Sequence, residues 1–171
     1  MVTFWQALLV NVWQMTSEAL AYALLSGLAI ALLVSIYTDI RYRLIFNKVT
    51  LPIALAAPLF WYATGSFTLT EIGIHLLTGA VVFGFFAIAF NFGAMGGGDV
   101  KLFAALALWF SWTEVFRLVL YASIIGALVT IIFLVIHKLE QKDGRVRVPY
   151  GVAISLAGLL VAGERIFNHF T

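Results

Sequence analysis

Residues 79–95 carry no charge, and beyond Lys101 the next charge is Glu114. Apolar runs of this kind recur along the chain, making 63% of its 171 residues hydrophobic and only 11% charged, with mean hydropathy +1.05. A soluble domain runs near about 45–50% apolar and about 25% charged. The core of one small domain cannot hide such an excess, so lipid must be the solvent. In lipid only helices and closed barrels satisfy their own backbone. Barrel strands would alternate apolar and polar positions over segments of about ten residues, and these runs are continuous. The sequence therefore predicts an all-α, polytopic membrane protein.

Six spans are predicted, at about 18–37, 50–64, 71–92, 98–112, 114–138 and 149–167, within one membrane-embedded domain covering 1–171. Pro52 and Pro58 lie in the second, and Pro149 opens the sixth. A span needs about 20 residues, so the second and fourth cannot cross upright without polar ends or local thinning of the bilayer. Residues 3–16 are apolar but interrupted by Gln6, Asn11 and Gln14, with Trp5 and Trp13 eight apart. Tryptophan favours the headgroup level, so residues 1–17 read as an N-terminal segment with a short interfacial helix. An additional, poor span is the alternative. The N-terminus lacks the basic region and small-residue cleavage site of a removable signal peptide.

Orientation follows from the basic residues. Six spans put Arg41, Arg43, Lys48, Lys101, Lys138, Lys142, Arg145 and Arg147 on one side and only Arg117 and Arg165 on the other. This eight-to-two division follows the positive-inside rule, places both termini outside the cytoplasm, and expects a cytoplasmic membrane location. The formal net charge of +2 is too small to argue for nucleic acid. With no cysteine in the chain, thiol nucleophiles, disulfides and Cys-ligated zinc are excluded.

Against this background the stretch Gly96-Gly97-Gly98-Asp99-Val100-Lys101 stands out. An acid at the centre of a spanning helix costs roughly 2.5–3.5 kcal/mol to insert, and an intramembrane acid is a functional candidate whose partner should be sought. Four acids fall on the basic side: Asp39, Asp99, Glu140 and Asp143. The last two sit in the turn Glu140-Gln141-Lys142-Asp143-Gly144-Arg145, which leaves Asp39 to pair with Asp99. Two carboxylates a few ångströms apart cannot both ionise cheaply, so they share one proton. The charged member takes a proton from water while the neutral one donates to a carbonyl oxygen, the division of labour of aspartic proteases. Such a pair needs no metal and no organic cofactor. The simpler readings are that Asp39, beside Arg41 and Arg43, is a solvated end charge, and that Asp99 is a helix N-cap.

The remaining polar residues suggest less. His75 and His169 are expected toward the outer side and His137 toward the inner, so no three-histidine metal site is expected. Ser35 and Ser123 lack a nearby base and should bond back to their own helices. Gly73, Gly79, Gly84, Gly158 and Gly163 are expected where helices pack closely.

Gly96-Gly97-Gly98-Asp99-Val100-Lys101-Leu102 resembles the GxGD signature of intramembrane aspartyl proteases, in the G-x-G-D-x-K form of type IV prepilin peptidases. Asp39-Ile40-Arg41-Tyr42-Arg43-Leu44-Ile45-Phe46-Asn47 is similar to that family's first motif, an Asp followed at this spacing by Ile-Pro-Asn, with Phe46 where proline is usual. Val148-Pro149-Tyr150-Gly151 resembles the start of the family's last span. The likeness covers most of residues 18–167. It implies Asp39 and Asp99 as the catalytic pair, with Gly96, Gly98, Lys101 and Asn47 as motif and substrate-loop positions. Gly96 and Gly98 would let loop and substrate backbones approach, and Lys101 would tune the acid or meet a lipid phosphate. The implied partner is a prepilin-like precursor whose apolar segment lies in the bilayer, with other pilus-assembly components beyond it. The sequence shows no counterpart of the large cysteine-bearing domain of the longer, N-methylating members, so N-methyltransferase activity is not expected, and the size resembles the short peptidases of tight-adherence (Flp) systems. Archaeal preflagellin peptidases are close in layout. From other classes, a proton-coupled transporter and an inactive assembly partner are the rival readings.

Overall fold

The computed structural model describes residues 4–139 and 148–170, and among them every regular element is helical: α1 (Phe4–Tyr42), α2 (Asn47–Ala63), α3 (Leu69–Asn91), α4 (Gly97–Ala107), α5 (Trp112–Leu139) and α6 (Tyr150–Phe170). Four of the six, α1, α3, α5 and α6, are long and apolar enough to cross a membrane. Helices α2 and α4 have 17 and 11 residues, so at 1.5 Å per residue they reach only about 25 and about 16 Å, short of a hydrocarbon core about 30 Å thick. The six helices fall over the six segments expected to be helical, and the two expected to be short are the short ones. The turn around Glu140, Lys142, Asp143, Arg145 and Arg147 lies outside the described residues, as does the side chain of His169.

Three boundaries differ from the sequence reading, the first being the end of α1, which runs to Tyr42 rather than to about residue 37. Residues 4–17 form no separate interfacial helix; they continue into the first span as one helix of 39 residues. Thr16 and Ser17 are of the residue types that cap a new helix. Instead Thr16 Oγ1 bonds back to the Val12 and Trp13 carbonyls (3.0 and 2.9 Å), and Ser17 Oγ to that of Gln14 (2.9 Å). With no Gly or Pro nearby, nothing interrupts the ladder. The fourth span, expected to run to Trp112, stops at Ala107. A new helix starts close behind: Ser111 N and Oγ both donate to Glu114 Oε2 (2.7 Å each), the acidic half of a capping box that opens α5 at Trp112.

Short as it is, α4 is the centre of the packing, touching α2, α3 and α6. Val100, Leu102, Phe103, Ala105, Leu106 and Ala107 are all buried, the signature of a helix surrounded by protein. Two reciprocal indole bonds hold its far end to α2. Trp109 Nε1 donates to the Ile53 carbonyl (2.8 Å), and Trp61 Nε1 donates to the Leu108 carbonyl (2.7 Å). The Phe60 and Trp109 rings stack at 5.0 Å, and Phe86 stacks on Phe103 at 4.3 Å.

Outside this core, Leu33, Leu55, Phe85, Phe116 and Ile131 are each more than half exposed, a surface that suits acyl chains and would aggregate in water. Of the five glycines expected at close contacts, Gly79 lies against Leu108 and Gly158 against Leu32 and Leu106, whereas Gly73, Gly84 and Gly163 face open space. Ser35 and Ser123 do bond back to their own helices, at Ala31 (3.0 Å) and Val119 (2.8 Å).

Candidate active site

Asp39 lies in the last turns of α1, inside the helix rather than beyond its end. The helix stops at Arg43, whose φ of 56° is left-handed and whose N–H donates to the Asp39 carbonyl (2.9 Å), an αL termination in which glycine is the usual residue. Only 5% of Asp39 is exposed, which rules out a solvated end charge. Its Oδ2 accepts the Val152 N–H at 3.1 Å, and the Gly151 N–H points to the same carboxylate. Those N–H groups belong to the first turn of α6, where a helix has no internal acceptors to offer. Asp39 thus caps a helix 113 residues away. The approach is possible because residue 151 is glycine: a Cβ there would sit 2.9 Å from Asp39 Oδ2 and 2.5 Å from Ile45 Cδ1.

Asp99 enters from α4, and it is not the N-cap of that helix. Gly96 holds that place with φ −76° and ψ 144°, and Asp99, three residues on, reaches back to the Gly96 N–H, the acidic half of a capping box. The three glycines before it meet different neighbours. A Cβ on Gly96 would fall 2.8 Å from Asp99 Oδ2, one on Gly97 3.3 Å from the Phe90 ring, and one on Gly98 3.1 Å from Ile45 Cβ. The space at Gly98 is therefore filled by this chain's own Ile45, which wedges between Gly98 and Gly151 and ties α1, α4 and α6 together.

Both carboxylates line one cavity of about 460 Å³, walled by Arg43, Ile45, the 93–98 loop, Val148 and Tyr150. They are near enough for the charge of Asp39 to act on Asp99. Two acids from helices 60 residues apart in sequence (39 to 99) share a glycine-rimmed space at the end of the bundle.

Asn47 and Lys101 meet each other rather than the acids. Lys101 Nζ donates to Asn47 Oδ1 at 3.0 Å, joining the starts of α2 and α4, so Lys101 has a protein partner that neither sequence-level role supplied. Phe46 is the N-cap of α2 with φ −78° and ψ 140°, inside the range that proline imposes. The backbone at this departure from the motif is already shaped for proline. Phe46→Pro should keep full activity and raise thermal stability by about 0.4–1 kcal/mol through the unfolded chain, readable as a small rise in Tm. His75 stacks on Trp61 (5.1 Å, 12°), and among the described residues no group of His, Asp and Glu is placed to hold a metal ion.

The sequence reading missed Arg43, Gly151 and Val152. Gly151 directly after Pro149-Tyr150, at the start of a span, was the available signal; the Asp39 bond to Val152 had none.

With this geometry in place the comparisons with known proteins become specific. The type IV leader peptidase family model matches residues 26–131, more than half of the chain and inclusive of both acids, Asn47 and the 96–101 stretch. The chain belongs to the type IV leader peptidase family. Among similar proteins, the prepilin leader peptidase/N-methyltransferase of Dickeya chrysanthemi is 28% identical over 153 residues, 87% of this chain and 53% of that protein. The protein of the same name from Pseudomonas aeruginosa is 30% identical over 128 residues (68% and 43%), and that from Legionella pneumophila 35% over 78 residues (44% and 26%). The chain spans about half the length, or less, of the curated relatives it matches. No solved structure matches it.

Proposed function

We propose that this chain is an aspartic endopeptidase of the cytoplasmic membrane that removes the short leader from type IV prepilin-like precursors, of the Flp type, with Asp39, Asp99 and one water. The observation that carries the reading is the convergence of two carboxylates from separate helices on one glycine-rimmed cavity.

The ionised carboxylate takes a proton from water as the oxygen attacks the scissile carbonyl carbon. The protonated carboxyl gives its proton to the carbonyl oxygen, leaving a neutral tetrahedral diol. Proton transfer to the amide nitrogen then breaks the C–N bond, and the diol returns a proton as it collapses to the leader's new carboxyl group. The pair ends as it began, with one proton between two acids.

The side of the membrane is supported by charge. Arg41, Arg43, Lys48, Lys101 and Lys138 lie at helix ends on the acids' side, whereas at the other end Arg117 is paired with Glu164 (2.7 Å) and Arg165 with Glu114 (3.5 Å). Among the described residues the end with the excess of Lys and Arg is the acids' end, which the positive-inside rule assigns to the cytoplasm. A precursor with a cytoplasmic leader and a bilayer-embedded apolar segment then crosses the cavity at its cleavage point.

The test is reconstitution of the purified chain in liposomes with a prepilin-like precursor, with leader release read by mass spectrometry. Cleavage is expected at one bond, at a rate that metal chelation leaves unchanged. Proton flux across the liposome without any cleavage would replace this reading with the transporter.

A further inference from the structure

Arg43 occupies an unusual position for a cation. Its backbone is left-handed, a conformation that costs an L-residue roughly 1–2 kcal/mol and that the chain tolerates one step past the turn bearing Asp39. Its guanidinium lies over the Phe133 ring of α5, 4.6 Å from the centroid. It lines the same cavity as both acids. One of its terminal nitrogens, Nη1, is buried with no hydrogen-bond acceptor among the described residues. Guanidinium nitrogens only donate, and a buried donor without a partner is costly. The stacking on Phe133 fixes the plane of the fork but supplies no acceptor for Nη1.

We propose that Arg43 is a substrate-binding residue that holds the extended peptide across the acids by donating from Nη1 to a backbone carbonyl oxygen beside the scissile bond. A carbonyl suits the site better than a substrate carboxylate, because the cavity already contains Asp39 and Asp99 and a third acid would be repelled by the ionised member of the pair. The bond satisfies the orphan donor only when substrate is present, so its energy appears in substrate binding. Arg is needed rather than Lys because the planar group both stacks on an aromatic face and keeps an edge free to donate. This inference rests on the peptidase reading for its substrate.

The experiment compares wild type, Arg43→Met and Arg43→Lys in liposomes on a fluorogenic peptide spanning the cleavage site, with a single thioamide placed in turn at each bond flanking the scissile one. Loss of one hydrogen bond to a charged donor predicts a KM raised about tenfold to a hundredfold in Arg43→Met, with kcat within about threefold and only partial recovery in Arg43→Lys. At one position the thioamide, a weaker acceptor, raises the wild-type KM several-fold and adds nothing in Arg43→Met, the coupling expected of partners in contact. An unchanged KM in Arg43→Met, or a thioamide effect equal in both proteins, overturns the proposal. So does a fall in kcat with a displaced pH profile and constant KM, which would mean that Arg43 acts through Asp39. If Arg43→Met does not fold, the thioamide scan on Arg43→Lys decides the matter.

Binding of the same peptide to Asp99→Asn, with and without Arg43→Met, separates this inference from the proposed activity. Arg43-dependent binding in Asp99→Asn, with no cleavage of that peptide by the wild-type chain, would sink the peptidase reading alone. Cleavage indifferent to residue 43 would sink this inference alone.

Discussion

Asp39→Asn and Asp99→Asn should each abolish leader release, reducing it by more than about a thousandfold, within the range lost when a positioned acid or base is removed. Both changes keep the size and an oxygen acceptor. In Asp39→Asn the amide oxygen still receives the Val152 N–H, now at 3.1 Å from the carboxylate, and in Asp99→Asn it still receives that of Gly96. Tm and membrane insertion are therefore expected to stay close to wild type while chemistry stops. Neither change should be rescued by the other acid, because proton uptake from water and donation to the carbonyl need two carboxyl groups at once. Near wild-type processing by either variant would remove the pair from the mechanism. Full loss accompanied by a collapse in Tm would assign that acid to the fold instead, Asp39 as the cap of α6 or Asp99 as the cap of α4.

Gly151→Ala is the second large effect, and its signature is different. The added methyl group would lie 2.5 Å from Ile45 Cδ1 and 2.9 Å from Asp39 Oδ2, so both side chains must move. Both are side-chain atoms, and the end of Ile45 can swing away at modest cost. The Asp39 carboxylate cannot move without leaving the Val152 N–H and its place opposite Asp99. Misplacing a reacting group by about 1 Å costs on the order of 100-fold in rate. The expected result is a kcat lower by about 10- to 100-fold, a KM that changes little and a folded protein in thermal unfolding. Gly98→Ala is the useful comparison, because its methyl group would meet Ile45 Cβ and the Ile45 carbonyl at 3.1 and 3.2 Å and would shift the wedge between α1 and α4 rather than Asp39 directly. A Gly151→Ala enzyme with unchanged kcat would mean that the Asp39 position tolerates displacement.

These two results depend on different parts of the sequence. Asp39 and Asp99 are visible in it because an acid beside long apolar runs is expensive and therefore conspicuous, and because the basic residues assign both to one side. The helices are visible for the same reason: lipid leaves the backbone no choice but to bond within each segment. Short α2 and α4 could be read from the length of their apolar runs. Residues 4–17 were harder, since a stretch of mixed polarity before a span does not say whether Thr16 and Ser17 will cap a new helix or bond backwards.

Gly151 shows where reading from sequence stops. Its role is to have no Cβ beside Asp39, and that need exists only once α6 starts against the end of α1. The same holds for Arg43, whose unpaired Nη1 is defined by the position of Phe133 on another helix, and for the Lys101–Asn47 bond between helix starts 54 residues apart. The sequence alone determined the solvent and the helical class, and it singles out the two acids and the sidedness proposed for them, because each reading follows from the cost of placing charge or bare backbone in lipid. Only the tertiary structure decided that the acids share a cavity, that α6 lends Asp39 its free N–H groups and that Ile45 fills the space between two glycines. Those are relations between distant segments, set by the shape of side chains packed against α4, and local sequence does not encode a distance across the bundle.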